Sequence, residues 1–507
     1  MLFNKKATAT HQVLNHEGAK AYALTPELDL YTAVVTSTLS DKFYESAADR
    51  VARLRALIDK NDPVFVAKLA VYAREQMYLR SIPLVLAVEL AKRHQGDRLI
   101  SRLVARVVQR ADEITELLAY YALANERKGI KKLGRLSKQM QRGLADAFNK
   151  FDEYQFAKYD RDGAGVKLRD ALFLTHPVAK DAAQQALFDK IVAGTLETPY
   201  TWETELSALG QQPFANKQMK AAAFRAKWEA LIDSGKLGYM ALLRNLRNLL
   251  EAGVSGQHIK KVCNTLSDAR EVARSKQLPF RFLAAYRELR EIKSGYTPAL
   301  LSALEEAVTA SAANLRGFGY ETCVVIACDV SGSMQRPVSA KSKVLNYDIG
   351  LMLGMLLKSK CKNAETGMFG DTWKVVNLPA KSILSNVQEF YRREGEVGYS
   401  TNGYLVIQDL LNRGKAADKV MLFTDCQLWN NRGNDQIAQV WQKYRRTVAP
   451  DAKLYLFDLA GLGNTPLDLR QAQGVHLIAG WSDKIFDVLA AMEEGQNAVE
   501  LIHTIEL

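Results

Sequence analysis

The chain has 507 residues, 48% of them hydrophobic, with a formal net charge of +12. That length is more than one hydrophobic core organises, so two or more domains are expected. The five cysteines include no CxxC pair, which argues against a disulfide framework or a zinc module and fits a reducing compartment. No stretch of about 18 apolar residues could span a bilayer, and Met1-Leu2-Phe3-Asn4-Lys5-Lys6 leads into no signal-peptide core. A cytoplasmic, monomeric protein without a membrane partner is expected. The charge is uneven: residues 1–320 carry 48 Lys and Arg against 35 Asp and Glu, while residues 321–507 carry 20 against 21. The excess points to a polyanion or a membrane surface as the partner of the first part, and of the two a polyanion is expected.

After about twenty polar residues the pattern is helical, with predicted helices over Thr25–Leu39, Glu45–Lys60, Pro63–Glu75, Ile82–Lys92 and Arg98–Ala122. Apolar residues recur there at three- and four-residue spacing, and breakers such as Asp62-Pro63 fall between segments. Many helices of about a dozen residues joined by short turns predict an α-solenoid of stacked pairs, with a compact bundle as the alternative. No strand pattern is evident before residue 321. Residues 125–150 carry eight basic and two acidic side chains. On a continuous helix Lys131, Arg135, Lys138 and Arg142 would share one face, with Lys132 beside them. Lys158, Arg161, Lys167 and Arg169 follow, then His176 before Pro177. Such clusters bind phosphate oxygens, and an imidazole can stack on an unpaired base.

Three separated segments carry a resemblance. Asp62-Pro63-Val64-Phe65-Val66-Ala67-Lys68-Leu69-Ala70-Val71-Tyr72-Ala73-Arg74, Leu168-Arg169-Asp170-Ala171-Leu172-Phe173-Leu174-Thr175-His176-Pro177 and Met240-Ala241-Leu242-Leu243-Arg244-Asn245-Leu246-Arg247-Asn248 resemble signatures of the TROVE domain of the Ro autoantigen family and its bacterial relatives. The resemblance implies a ring of HEAT-like helical repeats followed by a von Willebrand factor A domain, with domains at residues 1–318 and 319–507. It also implies that a basic outer face binds small non-coding Y RNAs and that the central hole takes single-stranded ends of misfolded RNAs in RNA quality control or processing. His176 falls on the family's RNA-contacting histidine, with Lys167 and Arg169 as neighbours. A 3′-exoribonuclease partner is the family expectation. Arg244 and Arg247 share their segment with a leucine stripe, so packing and RNA contact are both readings of it. Phe280, Phe282 and Tyr286 read as core.

From Glu321 onward strand-like and helix-like runs alternate. Predicted strands are Thr322–Cys328, Glu365–Phe369, Lys374–Asn377, Lys419–Thr424, Leu454–Leu459 and His476–Ala479, with helices between them, which predicts a doubly wound, mainly parallel sheet. Ligands in such sheets lie at the carboxyl ends of strands. Two of these ends carry Asp329-x-Ser331-x-Ser333 and Asp425, and Thr401 stands in a loop before a helix. The five residues resemble the metal-ion-dependent adhesion site of A domains, although Ser400 and Asn402 stand where related sites often have Gly and Asp. A divalent ion, Mg²⁺, is expected: it takes about six oxygens, and few direct anionic ligands leave it free to accept a carboxylate from a partner. Cys328 and Cys426 are expected to point to the opposite face as small buried residues.

A non-catalytic RNA-binding protein is the expectation. Phosphoryl-transfer metal sites usually hold their ions with several direct carboxylates, and this one offers two, so a metal-dependent nuclease or phosphatase is the competing enzyme. A partner of an AAA+ ATPase is a third reading, which would leave the basic helices unexplained.

Overall fold

A computed structural model describes residues 12–37, 46–126, 136–160, 165–277, 279–311, 321–337, 343–429, 436–480 and 484–507. Two compact units interleave along the chain. One is built from Met1–Leu57, Leu278–Ala284 and Val308–Leu501, the other from Ile58–Gln277, Ala285–Ala307 and Ile502–Leu507.

The second unit is helical. Its helix Pro63–Glu75 begins where Asp62-Pro63 predicts, because the Asp62 carboxylate accepts the backbone N–H groups of Val64 and Phe65 at 2.9 and 3.1 Å and proline suits the first turn. It buries Phe65, Val66, Leu69, Ala70 and Val71. The next helix, Ser81–Ala91, is buried from Ile82 to Leu90.

The single helix expected over Arg98–Ala122 is two, Leu99–Val107 and Ala111–Ala124. The break is made by Glu113, whose carboxylate accepts the N–H groups of Gln109 and Arg110 at 2.8 and 3.1 Å and caps the second helix. Glu113 is fully buried, and Arg74 donates to both of its oxygens at 2.9 and 3.1 Å and to the Val107 carbonyl at 3.0 Å. Three helices are thereby joined through one buried ion pair.

The helix carrying Arg142 is Lys138–Phe148, and it starts because the Ser137 hydroxyl accepts the Met140 N–H at 3.2 Å. Lys138 and Arg142 therefore do not continue one helix back to Lys131 and Arg135. Leucines 242, 243, 246 and 249 of helix Tyr239–Glu251 are buried, while Arg244 is exposed. Phe280, Phe282 and Tyr286 are buried as expected.

The first unit is built on a six-stranded sheet and a small three-stranded one. In chain order the strands are β1 (Gln12–Leu14), β2 (Lys20–Ala23), β3 (Cys323–Asp329), β4 (Asn363–Phe369), β5 (Trp373–Val375), β6 (Lys419–Thr424), β7 (Lys453–Asp458), β8 (Asn464–Thr465) and β9 (Val475–Ala479). The large sheet runs β5-β4-β3-β6-β7-β9, parallel except for the edge strand β5. All six predicted strands are in it. Alternation along β3 sends Val325 and Ala327 into a core with Val406, Leu410, Trp441 and Tyr444. Ile326 and Cys328 face the opposite layer, where helix Asn346–Lys360 lies so close that a Cβ on Gly354 would meet Ile326 at 2.9 Å.

The small sheet, β1-β2-β8, was not expected. Its strands are two to four residues long, too short for alternation to show, and they exist because β2 pairs with a strand some 440 positions later in the chain. Helix Pro26–Val35 continues the attachment: Tyr31 donates to the Ala479 carbonyl at 3.2 Å. Arg50, fully buried, donates to the Ala460 carbonyl at 3.0 Å.

Candidate functional site

β3 and β6 are neighbours in parallel register, with Cys328 beside Phe423, so Asp329 and Thr424 end their strands side by side and Asp425 follows at once. Asp329 accepts the Ser331 N–H at 2.9 Å on one oxygen and the Thr424 hydroxyl at 2.6 Å on the other. A short 3-10 turn, Gly332–Gln335, then lifts Ser333 so that its hydroxyl is 3.2 Å from that of Ser331. Asp425 accepts the Gln427 N–H at 3.0 Å. Thr401, on a different loop, accepts the Trp429 N–H on its hydroxyl at 2.8 Å. The structure thus brings all five predicted oxygen donors to one end of the sheet, each at most 6% exposed.

Burial raises the Asp329 carboxyl above the usual carboxylate range, with the charge of Asp425 adding to it, and burial also raises Asp425. Two buried acids and three hydroxyls form a hard-oxygen set of the kind a divalent cation accepts, and the ion's charge would offset the repulsion between the acids. Among the described residues no group of three or more His, Cys, Asp or Glu side chains offers a denser metal site. Cys328 and Cys426 are buried, and burial raises both thiols, which makes them packing groups.

Above the donors lies an open cavity of about 500 Å³, lined among others by Ser331, Ser333, Thr401, Asp371, Tyr399 and Trp429. Its wall depends on Gly398, at φ +71°, where a Cβ would run into the Asp371 carboxylate; only glycine tolerates both constraints. Asp371 in turn accepts the Ser400 N–H at 3.0 Å and orders the loop that delivers Thr401.

Of the predicted RNA-contacting residues, Lys131, Lys132, Arg135 and Arg161 lie outside the described residues. Lys138, Arg142, Lys158, Lys167, Arg169 and His176 are all exposed. Helix Lys138–Phe148 is tied to the segment carrying His176: Gln141 donates to the Leu174 carbonyl at 2.9 Å, and Asn149 to the Val178 carbonyl at 2.9 Å. His176 ends helix Leu168–Thr175 in a left-handed conformation, φ 48°. Within that helix Arg169 lies over the exposed ring of Phe173, 5.7 Å away. Lys150, counted with the basic run, is used internally: its ammonium donates to the Ala105 and Val108 carbonyls, the latter at 2.9 Å.

Several site residues escaped the sequence reading. Thr424 could have been found, since it adjoins Asp425 at a strand end. Asp371, Trp429 and Glu17, which also lines the cavity, carried no local signal.

The sequence pattern of the TROVE domain matches residues 33–193 and 171–296, and that of the Ro60 vWA domain matches residues 323–492. Telomerase protein component 1 of Rattus norvegicus is 25% identical over 310 residues, and that of Mus musculus 26%. Each match covers 46% of this chain and only 11% of the much longer relative. The crystal structure of the Deinococcus radiodurans Ro (Rsr) protein superposes with a TM-score of 0.60 at 19% identity, over 92% of this chain and all of that one, a likeness of fold. With TROVE matches across most of the helical segment and the Ro60 vWA match across the sheet that carries Asp329, the chain belongs to the TROVE-domain family of Ro-type proteins.

Proposed function

We propose that this protein is a non-catalytic RNA-binding protein of the Ro type, with two working surfaces. The helical unit holds RNA and the A-domain end recruits a protein. The observation that carries the first half is the exposed set Lys138, Arg142, Lys167, Arg169 and His176 on two elements tied together by Gln141 and Asn149. Cations on such a face take phosphates, and the His176 and Phe173 rings offer stacking surfaces for unpaired bases. Y-like small non-coding RNA is the expected cargo of this face, single-stranded ends of misfolded RNA are the second, and the proposed role is cytoplasmic RNA quality control or processing.

The second half rests on Asp329, Ser331, Ser333, Thr401 and Asp425, which would hold Mg²⁺ with only two acids. An ion so held keeps enough positive charge to accept a partner's carboxylate. A 3′-exoribonuclease is the partner class that fits an RNA-quality-control role. Sequencing the RNA that copurifies with the protein tests the reading: small structured RNAs are expected, lost on Arg169→Glu. RNA-free protein would sink it. Cleavage of labelled RNA in Mg²⁺ that disappears in Asp329→Ala would instead establish an enzyme.

A further inference from the structure

Residues 12–23 precede both family matches, which begin at residues 33 and 323, yet they are fastened to the loop that carries Asp425. Asn15, 6% exposed, donates from its side-chain amide to the Leu428 carbonyl at 2.8 Å. The Gln427 side chain accepts the His16 N–H at 2.9 Å and donates to Asn464 of β8 at 3.2 Å. The other end of the Asn15 amide accepts the N–H groups of Glu17 and Ala19 at 3.0 and 2.8 Å. This buried asparagine therefore fixes a tight turn with Glu17 at its tip, a use to which Asn is well suited. The tip is not turned to bulk solvent alone: Glu17 lines the same cavity as Ser331, Ser333 and Thr401.

Three hydroxyls and two acids leave a hexacoordinate ion in want of another ligand on its open side. We infer that Glu17 is that ligand, a carboxylate supplied by the chain's own N-terminal hairpin to the cation held by Asp329, Ser331, Ser333, Thr401 and Asp425, which an incoming partner carboxylate must displace. The inference rests on the metal-site reading above. It makes the site self-capped: the ion is retained without a partner, and partner binding is an exchange of one carboxylate for another. The hydrogen bonds from Asn15 and His16 hold the turn in place while the Glu17 side chain exchanges.

Mn²⁺ serves as the probe, titrated into the full-length protein by electron paramagnetic resonance, with water-proton relaxation counting the waters on the bound ion. Glu17→Gln should weaken Mn²⁺ binding by about tenfold, add one water to the ion, and let acetate bind the loaded protein more tightly than it binds wild type. Glu17→Asp keeps the charge but withdraws the carboxylate by one methylene, and should behave like Glu17→Gln. Wild-type affinity and water count in Glu17→Gln would overturn the inference alone, as would full restoration by Glu17→Asp, since charge without reach would then suffice. A wild-type protein whose Mn²⁺ binding is absent, or is unaffected by Asp329→Ala, would overturn the metal-site reading and the inference with it. Unchanged thermal midpoints in chelator confirm that the variants are folded.

Discussion

The Thr424 hydroxyl donates to Asp329 Oδ2 at 2.6 Å across two adjacent parallel strands, while its oxygen accepts the Cys426 N–H at 3.2 Å. One side chain thus orients the first acid of the donor set and shapes the turn that presents the second. A hydrogen bond to a buried carboxylate is among the stronger ones, and leaving that oxygen unpaired costs its desolvation. Thr424→Val, nearly the same shape, should cost about 1–3 kcal/mol in chelator and weaken Mn²⁺ binding by about tenfold or more. Urea denaturation and metal titration check the two effects, and a variant with wild-type values in both would remove Thr424 from the site.

The buried pair of Arg74 and Glu113 should dominate the stability of the helical unit. Arg74→Met removes the bidentate partner of the fully buried Glu113 carboxylate, leaving it two backbone N–H groups and Arg80 at 3.6 Å, and is expected to cost about 3 kcal/mol. Arg247 and Glu251 are separated by the same kind of distance, 2.8 Å, but both are more than half exposed; Arg247→Ala should leave the denaturant midpoint close to that of wild type. Equal losses in the two variants, measured by denaturant midpoint, would contradict the assignment.

Charge on the helical surface should separate into two kinds by mutation. Lys138→Glu with Arg142→Glu should lower RNA affinity and flatten its salt dependence by about 0.7 in log–log slope for each phosphate left without its cation. Lys150→Ala should leave the slope unchanged and lower stability, because its ammonium serves helix-end carbonyls. Filter binding at several salt concentrations distinguishes them.

Stability should fall in mild acid through His476. Burial holds its imidazole below the ordinary value, helped by the charge of Lys453, and its ring stacks on Tyr455 at 5.1 Å. A depressed folded value means that the unfolded chain binds the proton first, so the contribution is fully present above about pH 6.5 and is lost as pH falls below it. His476→Phe should reduce the slope of denaturation midpoint against pH between 7 and 5. An unaltered slope would assign the acid sensitivity elsewhere.

Much of this protein was determined by local sequence. The strand Lys419–Thr424 and the helix Pro63–Glu75 fall where periodicity and breakers place them, since apolar spacing and an Asp-Pro cap are short-range causes. Asp329, Ser331, Ser333 and Asp425 were legible because strand ends in a parallel sheet converge, whatever the intervening distance in sequence, and Thr401 through the resemblance to the metal-ion-dependent adhesion site. What only tertiary structure decided depends on partners far apart in the chain. The break at Gln109 is set by a Glu113 carboxylate that Arg74 holds from another helix, and the Lys150 ammonium is engaged by two carbonyls. β1 and β2 have no pattern of their own; β2 forms because Asn464 and Thr465 pair with it, and β1 adds to its other edge. Glu17 lines the cavity beside Ser331 and Ser333 only because Asn15 and His16 find Leu428 and Gln427 more than four hundred residues away. A contact of that separation leaves no periodicity in the sequence, because its energy is realised only when both ends are already folded.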